Sequence, residues 1–224
     1  MIVLDIESSG LDMTKCGIWQ ICAIDLENPE NIFLEESRID DHDSVEEGAL
    51  KVIGKTEEKL RDSSKQSQKQ LILSFFKWVE KIDEKIIVGQ NIGWDLNFIQ
   101  NKVFYYDLYN EFKKVLSVKG LDLYAIAQLI YFKKYKHFKV NDFGKGKFNL
   151  SDILKFCGIP DPRISLRDYR EAKEMSTQIE KQGTPHNALE DCKLEGECYS
   201  RLMYGKTIFP EYEQYSIPDY LIKN

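Results

Sequence analysis

The chain has 224 residues, 42% of them hydrophobic and 30% charged, with a formal charge of −6 and an isoelectric point near 5.3. That is the make-up of one globular domain large enough to bury a real core, and it holds no apolar stretch of membrane-spanning length. The net charge argues mildly against nucleic acid as a partner, although the distribution of charge matters more than its total.

The chain opens with Met1-Ile-Val-Leu-Asp-Ile-Glu-Ser-Ser-Gly-Leu11, whose β-branched and aliphatic residues read as a buried strand. Alternate strand residues share a face, so Asp5 and Glu7 stand side by side, about 7 Å apart at Cα, with Ile6 turned the other way. Two acids on one face of an apolar strand are costly, and a divalent cation is the partner that uses both. No signal-peptide pattern precedes them, and an intracellular, cytoplasmic protein is expected. Gly17 to Ile24, a turn at Asn28 to Asn31, and Ile32 to Ile39 complete an antiparallel meander.

Apolar spacing at Leu71, Ile72, Phe75, Phe76, Val79 and Ile82 predicts a helix packed on the sheet. A short strand from Ile86 to Gly89 then runs through a Gly/Asn turn into a helix from about Ile92. Asn91 and Asp95 are four apart, so a turn that is already helical puts both on one face. A short strand near Leu121 to Leu123 continues the β-α-β-α alternation, which implies parallel pairing with right-handed crossovers. The expected α/β fold is a mixed five-stranded sheet with helices on both faces.

Lys133 to Phe148 holds six lysines (Lys133, Lys134, Lys136, Lys139, Lys145 and Lys147) and one acid, interleaved with aromatic rings and glycines. This is the composition of a groove for single-stranded nucleic acid, and equally that of a solvated loop whose rings pack underneath. Ser151 is placed to cap a helix ending near Gly158 and Pro160. In Pro185-His186-Asn-Ala-Leu-Glu-Asp191, His186 is expected to hang from a loop stiffened by Pro185, while Asp191 points from the following helix, whose apolar face is Leu194, Cys198 and Leu202. Residues 1–204 then form one domain, with 205–224 as a docked tail. The five cysteines are odd in number and lack a Cys-x-x-Cys pair, so buried, reduced thiols are expected. His42 and His137 have no matching acid context and read as surface residues.

Three segments in order, Asp5-Ile-Glu-Ser-Ser-Gly-Leu11, Val88-Gly-Gln-Asn-Ile-Gly-Trp-Asp-Leu-Asn-Phe-Ile99 and His186-Asn-Ala-Leu-Glu-Asp-Cys192, resemble the motifs of the DEDDh branch of the DnaQ-like 3′→5′ exonucleases. That branch includes the proofreading subunit of bacterial DNA polymerase III, ribonuclease T and oligoribonuclease. Lys119 to Ala127 and Asn149 to Ile159 are similar to the strand and helix that precede the family's third motif, so the resemblance covers roughly residues 1 to 204. It implies a ribonuclease H-like fold and two Mg²⁺ ions, with Mn²⁺ able to substitute. Asp5 would bridge both ions, Glu7 and Asp191 would complete the first, and Asp95 would hold the second through its water shell. His186 would be the general base.

By the same resemblance, backbone amides around Ser8, Ser9 and Gly10 would contact the terminal 3′ hydroxyl and Leu11 would wedge the last base from its neighbour, with Asn91 and Trp94 as further substrate contacts. The implied activity is release of 5′-mononucleotides from the 3′ end of single-stranded DNA, with a polymerase or repair complex as its setting. An exoribonuclease is the alternative, and a non-catalytic nucleic-acid-binding or polymerase-docking module is a rival from another class. Ser8 and Ser9 stand where threonine is common, Gln90 where histidine is frequent, and Trp94 where a smaller or phenyl side chain is usual. None of these departures removes a carboxylate.

Overall fold

A computed structural model of the chain describes residues 1–163 and 186–222. Its central strand is β1, Ile2–Ser8, flanked by the antiparallel β2, Ile18–Asp25, and then by β3, Ile32–Glu36. β3 stops short of Ile39 because Arg38 and Ile39 donate their N–H groups to Gln66 O and Leu60 O, at 2.9 and 2.8 Å, and so leave the sheet. Three helices follow, α1 at Glu47–Ile53, α2 at Glu57–Leu60 and α3 at Gln68–Glu80. Next come β4, Ile87–Gly89, then α4, Ile92–Tyr105, α5, Tyr109–Val115, and β5, Leu121–Asp122. β4 runs parallel to β1 and β5 parallel to β4, which gives a five-stranded mixed sheet in the order β3-β2-β1-β4-β5.

The remaining elements are α6, Leu123–Tyr135, α7, Leu150–Phe156, α8, Ala188–Tyr204, a 3₁₀ turn at Pro210–Tyr212, and α9, Asp219–Ile222. Strand alternation sorts them into two layers. Ile2, Leu4 and Ile6 pack with the apolar faces of α3, α4 and α5, while Val3, Cys22 and Ile24 pack with α6, α7 and α8. Asp5 and Glu7 therefore fall on the α8 side of the sheet.

Local sequence explains the main helices. Ser67 and Gln70 form a reciprocal capping box at the start of α3, and Leu71, Ile72, Phe75, Phe76 and Val79 are buried at helical spacing behind it. Each such side chain contributes about 1.5 to 3 kcal/mol by leaving water. Phe75→Ala, at a fully buried position, would cost about 3 to 5 kcal/mol. At α7 the cap is Asn149, whose side chain accepts from Asp152 N at 2.9 Å. Ser151 was the residue expected there, but it already lies inside the first turn, and its Oγ donates to Asp161 Oδ2 at 2.6 Å.

Gly205, left-handed at φ 61°, closes α8 and turns the chain back. Beyond it Leu221 is buried and the Tyr220 hydroxyl donates to Phe156 O at 2.6 Å. All five cysteines are buried and free. Among the described residues no helix is long and apolar enough to cross a membrane.

Candidate active site

The site exists because β4 is short. β4 pairs with β1 only at Ile2 and Val3, and beyond that point the Ile6 N–H donates instead to Asp95 Oδ1, at 3.2 Å. Asp95 thus reaches β1 from α4, on the opposite layer from α8. β4 ends at Gly89, where a Cβ would stand 2.8 Å from Leu4 O and 3.2 Å from Glu195 Oε2, so glycine is what permits this close approach.

Asp5, Glu7 and Asp191 each bring a carboxylate oxygen within 4.8 Å of the others. Burial, and after it the neighbouring Asp191, Glu195, Glu7 and Asp95, holds the Asp5 carboxyl well above the usual carboxylate range. Burial and Asp191 push Glu7 up to about 8, against the pull of His186, Arg163 and Lys55. Asp95 is raised as well, chiefly by burial. Asp5 Oδ2 is buried with no hydrogen-bond partner. An orphaned carboxylate oxygen beside two more carboxylates is an all-oxygen donor set, and it fits a hard divalent cation. Asp95 lies outside this close group.

Asp191 is held from two sides. Its Oδ2 is 3.3 Å from His186 Nδ1, and its Oδ1 accepts from Arg163 Nη1 at 2.7 Å. Arg163 is itself gripped by Asp161 through Nε–Oδ1 and Nη2–Oδ2 contacts, both 2.9 Å. Burial opposes its charge, but Asp161 and Asp191 together raise the guanidinium pKa. His186 stands just before the extended cap residue Asn187 of α8, and its backbone N–H donates to Val52 O at the end of α1, at 3.1 Å. Asn187 caps α8 by accepting from Glu190 N at 3.1 Å, and Ala188 N–H donates to Gln20 Oε1 at 3.0 Å, opposite Glu7. A His and an Asp five residues apart would miss each other on one helix. They meet because the helix begins between them. Pro185, expected to stiffen this segment, lies outside the described residues.

The acids floor a cleft of about 320 Å³, walled by Trp94, Val52 and His186 and rimmed by Leu11, which is 73% exposed. Ser8 and Gly10 line it too, and the Ser8 Oγ donates to Gly10 O at 2.6 Å, which tightens the turn after β1. Ser9 does not line it. Its hydroxyl is buried, donating to Ser44 O at 2.7 Å and accepting from Gly17 N at 2.8 Å. Asn91 is also outside, because it precedes α4 in a left-handed conformation, φ 55°, with its backbone N–H on Asp122 Oδ1 at 3.2 Å. It therefore does not share the helical face of Asp95. None of Lys133, Lys134, Lys136, Lys139, Lys145 and Lys147 borders the cleft.

Sequence reasoning missed two residues here. Glu195 is buried under the acids with Oε2 unpartnered, and burial together with Asp95 and Asp191 raises its pKa. Its position four residues after Asp191, on the same helical face, was a legible signal. Arg163 left no such signal, because its role depends on a fold that brings residues 161–163 beside α8.

The exonuclease family model matches residues 2–199. None of the curated proteins matches the chain in sequence. Among solved structures, E. coli Exonuclease I in complex with a dT13 oligonucleotide aligns with a TM-score of 0.59 at 17% identity, covering 87% of this chain and 39% of that one. Cell-death related nuclease 4 (CRN-4) aligns with a TM-score of 0.59 at 13% identity, covering 90% and 62%. The chain spans about two fifths of the length of the Exonuclease I it matches. At these identities the likeness speaks for the shared fold.

Proposed function

The chain belongs to the exonuclease family, whose model spans residues 2–199, and on that footing we propose that it is a metal-dependent 3′→5′ exonuclease releasing 5′-mononucleotides from single-stranded nucleic acid. The observation that carries this reading is the convergence of Asp5, Glu7 and Asp191 on one point of a cleft that His186 also enters. DNA is proposed as the favoured substrate, a choice supported by the deoxyoligonucleotide in the complex of the structurally similar Exonuclease I.

Asp5, Glu7 and Asp191, with Asp95 reaching through water, would hold two Mg²⁺ or Mn²⁺ ions, whose chemistry is to neutralise the phosphate and acidify a bound water. The protein's own groups do the rest. Asp191 Oδ2 next to His186 Nδ1 favours the tautomer with its proton on Nδ1, so Nε2, across the ring, accepts the proton of the attacking water. Arg163, fixed by Asp161, keeps Asp191 oriented through its Oδ1, the oxygen not facing His186. Ser8 and Gly10 shape the turn after β1 that would meet the terminal 3′ hydroxyl. Leu11 and Trp94 face the last base across the cleft mouth, where stacking and apolar contact contribute about 1 to 3 kcal/mol per base.

The test is an assay on 5′-labelled single-stranded DNA and matched RNA, with Mg²⁺ and with a chelator. We expect a ladder shortening from the 3′ end only with metal, faster on DNA, and blocked by a 3′ phosphate. Cutting of a circular strand, or full activity in chelator, would refute the proposal.

A further inference from the structure

The lysine-rich stretch is a built surface. α6 presents Leu129 and Phe132 to solvent, and after Lys136, left-handed at φ 62°, the chain folds back beside the helix. Gln128 fastens it there, its Oε1 accepting from Lys139 N at 3.0 Å and its Nε2 donating to Lys139 O at 2.8 Å. Val140 bridges Gly146, and Asn141 Oδ1 accepts from Phe143 N and Lys145 N, both at 3.0 Å, so the loop tip is braced. Phe143 stands on that tip 86% exposed, and Phe138 stacks on Phe132 at 4.8 Å between centroids with both rings 40% exposed or more. Between loop and helix runs an open groove of about 510 Å³.

The lysines divide into two sets. Lys139 pairs with Asp152 at 3.0 Å, and Lys134 lies 3.5 Å over the Tyr220 ring. Lys133, Lys136, Lys145 and Lys147 are exposed and make no ion pair among the described residues, and Asp142 is the one acid between Lys133 and Phe148. Exposed rings surrounded by uncommitted lysines complement a polyanion with stackable faces. A protein partner fits less well, since lysine is depleted where proteins pack together. The end of the loop and the start of α6 are tied to the turn that enters α4, through Gln90 Nε2 on Phe148 O at 3.4 Å and Asn91 N on Asp122 Oδ1.

We propose that α6 and residues 137–147 form a platform for the strand upstream of the nucleotides held in the cleft. Phe138 and Phe143 stack on bases, and Lys133, Lys136, Lys145 and Lys147 meet phosphates. The inference rests on the exonuclease reading and adds a length preference to it.

The test compares wild type with Lys145→Ala/Lys147→Ala and with Phe143→Ala, on a trinucleotide and on a sixteen-nucleotide DNA. Binding is followed by fluorescence anisotropy in chelator, and kcat/KM is measured with Mg²⁺. The lysine variant should lower the slope of log affinity against log salt by about 1.4 for the long strand, since each phosphate contact on a single strand contributes about 0.7. Phe143→Ala should weaken long-strand binding at least about fivefold. Neither should alter kcat/KM on the trinucleotide. Equal losses on both substrates, or none on either, would overturn the platform while leaving the exonuclease reading in place. A wild type inactive on both strands would sink the two together. Wild-type anisotropy that responds to an unrelated acidic protein as strongly as to DNA would assign the surface to protein docking and overturn it as well.

Discussion

α8 carries two sets of buried charges built on opposite lines. Toward its C-terminal end Glu197 and Arg201, both fully buried, meet at 2.6 Å. All three guanidinium nitrogens are used, on Glu197, Cys157 O, Thr207 Oγ1 and Tyr212 O, and Glu197 Oε2 accepts from Ile208 N and Phe209 N. Toward the N-terminal end Asp191 and Glu195 face Asp5, with Asp5 Oδ2 and Glu195 Oε2 left unpartnered. One set pins the returning tail to the core. In the other, acids crowd together, with Arg163 as the cation on Asp191 and the His186 ring on its other oxygen. Buried charge is therefore no sign of a functional site by itself, because Glu197 and Arg201 are buried more deeply than Asp191. The sign is buried charge left without a partner.

The strongest way to break this comparison is to neutralise one acid in each set. Glu197→Ala should cost about 3 to 5 kcal/mol in denaturant unfolding, because Arg201 loses its buried partner. Asp5→Asn should do the reverse, taking turnover to background while Tm holds or rises, since it removes one of several repelling carboxylates. Destabilisation of Asp5→Asn as severe as that of Glu197→Ala would erase the distinction between the two sets.

Next in size is His186→Ala, which should retain metal and substrate binding and lower kcat by about 10² to 10⁴, the range for loss of a general base. The acidic limb of the rate profile should go with it. Turnover equal to wild type would leave His186 as a structural neighbour of Asp191.

A smaller effect is expected at Arg163. Arg163→Ala should weaken metal binding about 10- to 100-fold by freeing Asp191, the range for groups that orient a metal ligand. Arg163→Lys should rescue little, because an ammonium cannot hold Asp161 with two parallel bonds and reach Asp191 as well. Full rescue by lysine would reduce the role of Arg163 to its charge.

The mildest perturbation is pH. Glu7 is raised from 4.5 to about 8, so between those values the metal-free folded protein holds a proton that the unfolded chain has released. Its stability should fall as pH rises across that window. A divalent cation replaces the proton, so the Tm gain on adding Mg²⁺ should grow over the same range. A gain that shrinks as pH rises would contradict this sign.

The strands and the Asp5–Glu7 pair are legible because they obey local rules, whereas Asp95, His186 and Asp191 stand out only through the order of the three motifs. Alternation placed Asp5 and Glu7 on one face, and the apolar spacing of α3 marked a helix whose capping box confirms its start. What escaped depends on the chain returning to itself. Asn91 appeared to share a face with Asp95 until a left-handed residue broke the helical phase. Ser9 is grouped with Ser8 and Gly10 by the resemblance, for its backbone amide, yet that N–H donates to Gly17 O at 2.8 Å and its hydroxyl turns toward Ser44. The contacts of Arg163 with Asp191, and of the His186 backbone with Val52, join segments 28 and more than 100 residues apart. No local pattern encodes such pairs.

The most direct test of the claim that the acid cluster is a metal site is calorimetric titration of Mn²⁺ into wild type and Asp5→Asn near pH 8. Wild type should bind with release of protons and a rise in Tm, and Asp5→Asn should lose at least about tenfold in affinity while remaining folded. Equal Mn²⁺ binding by the two proteins, or none by wild type, would contradict the account.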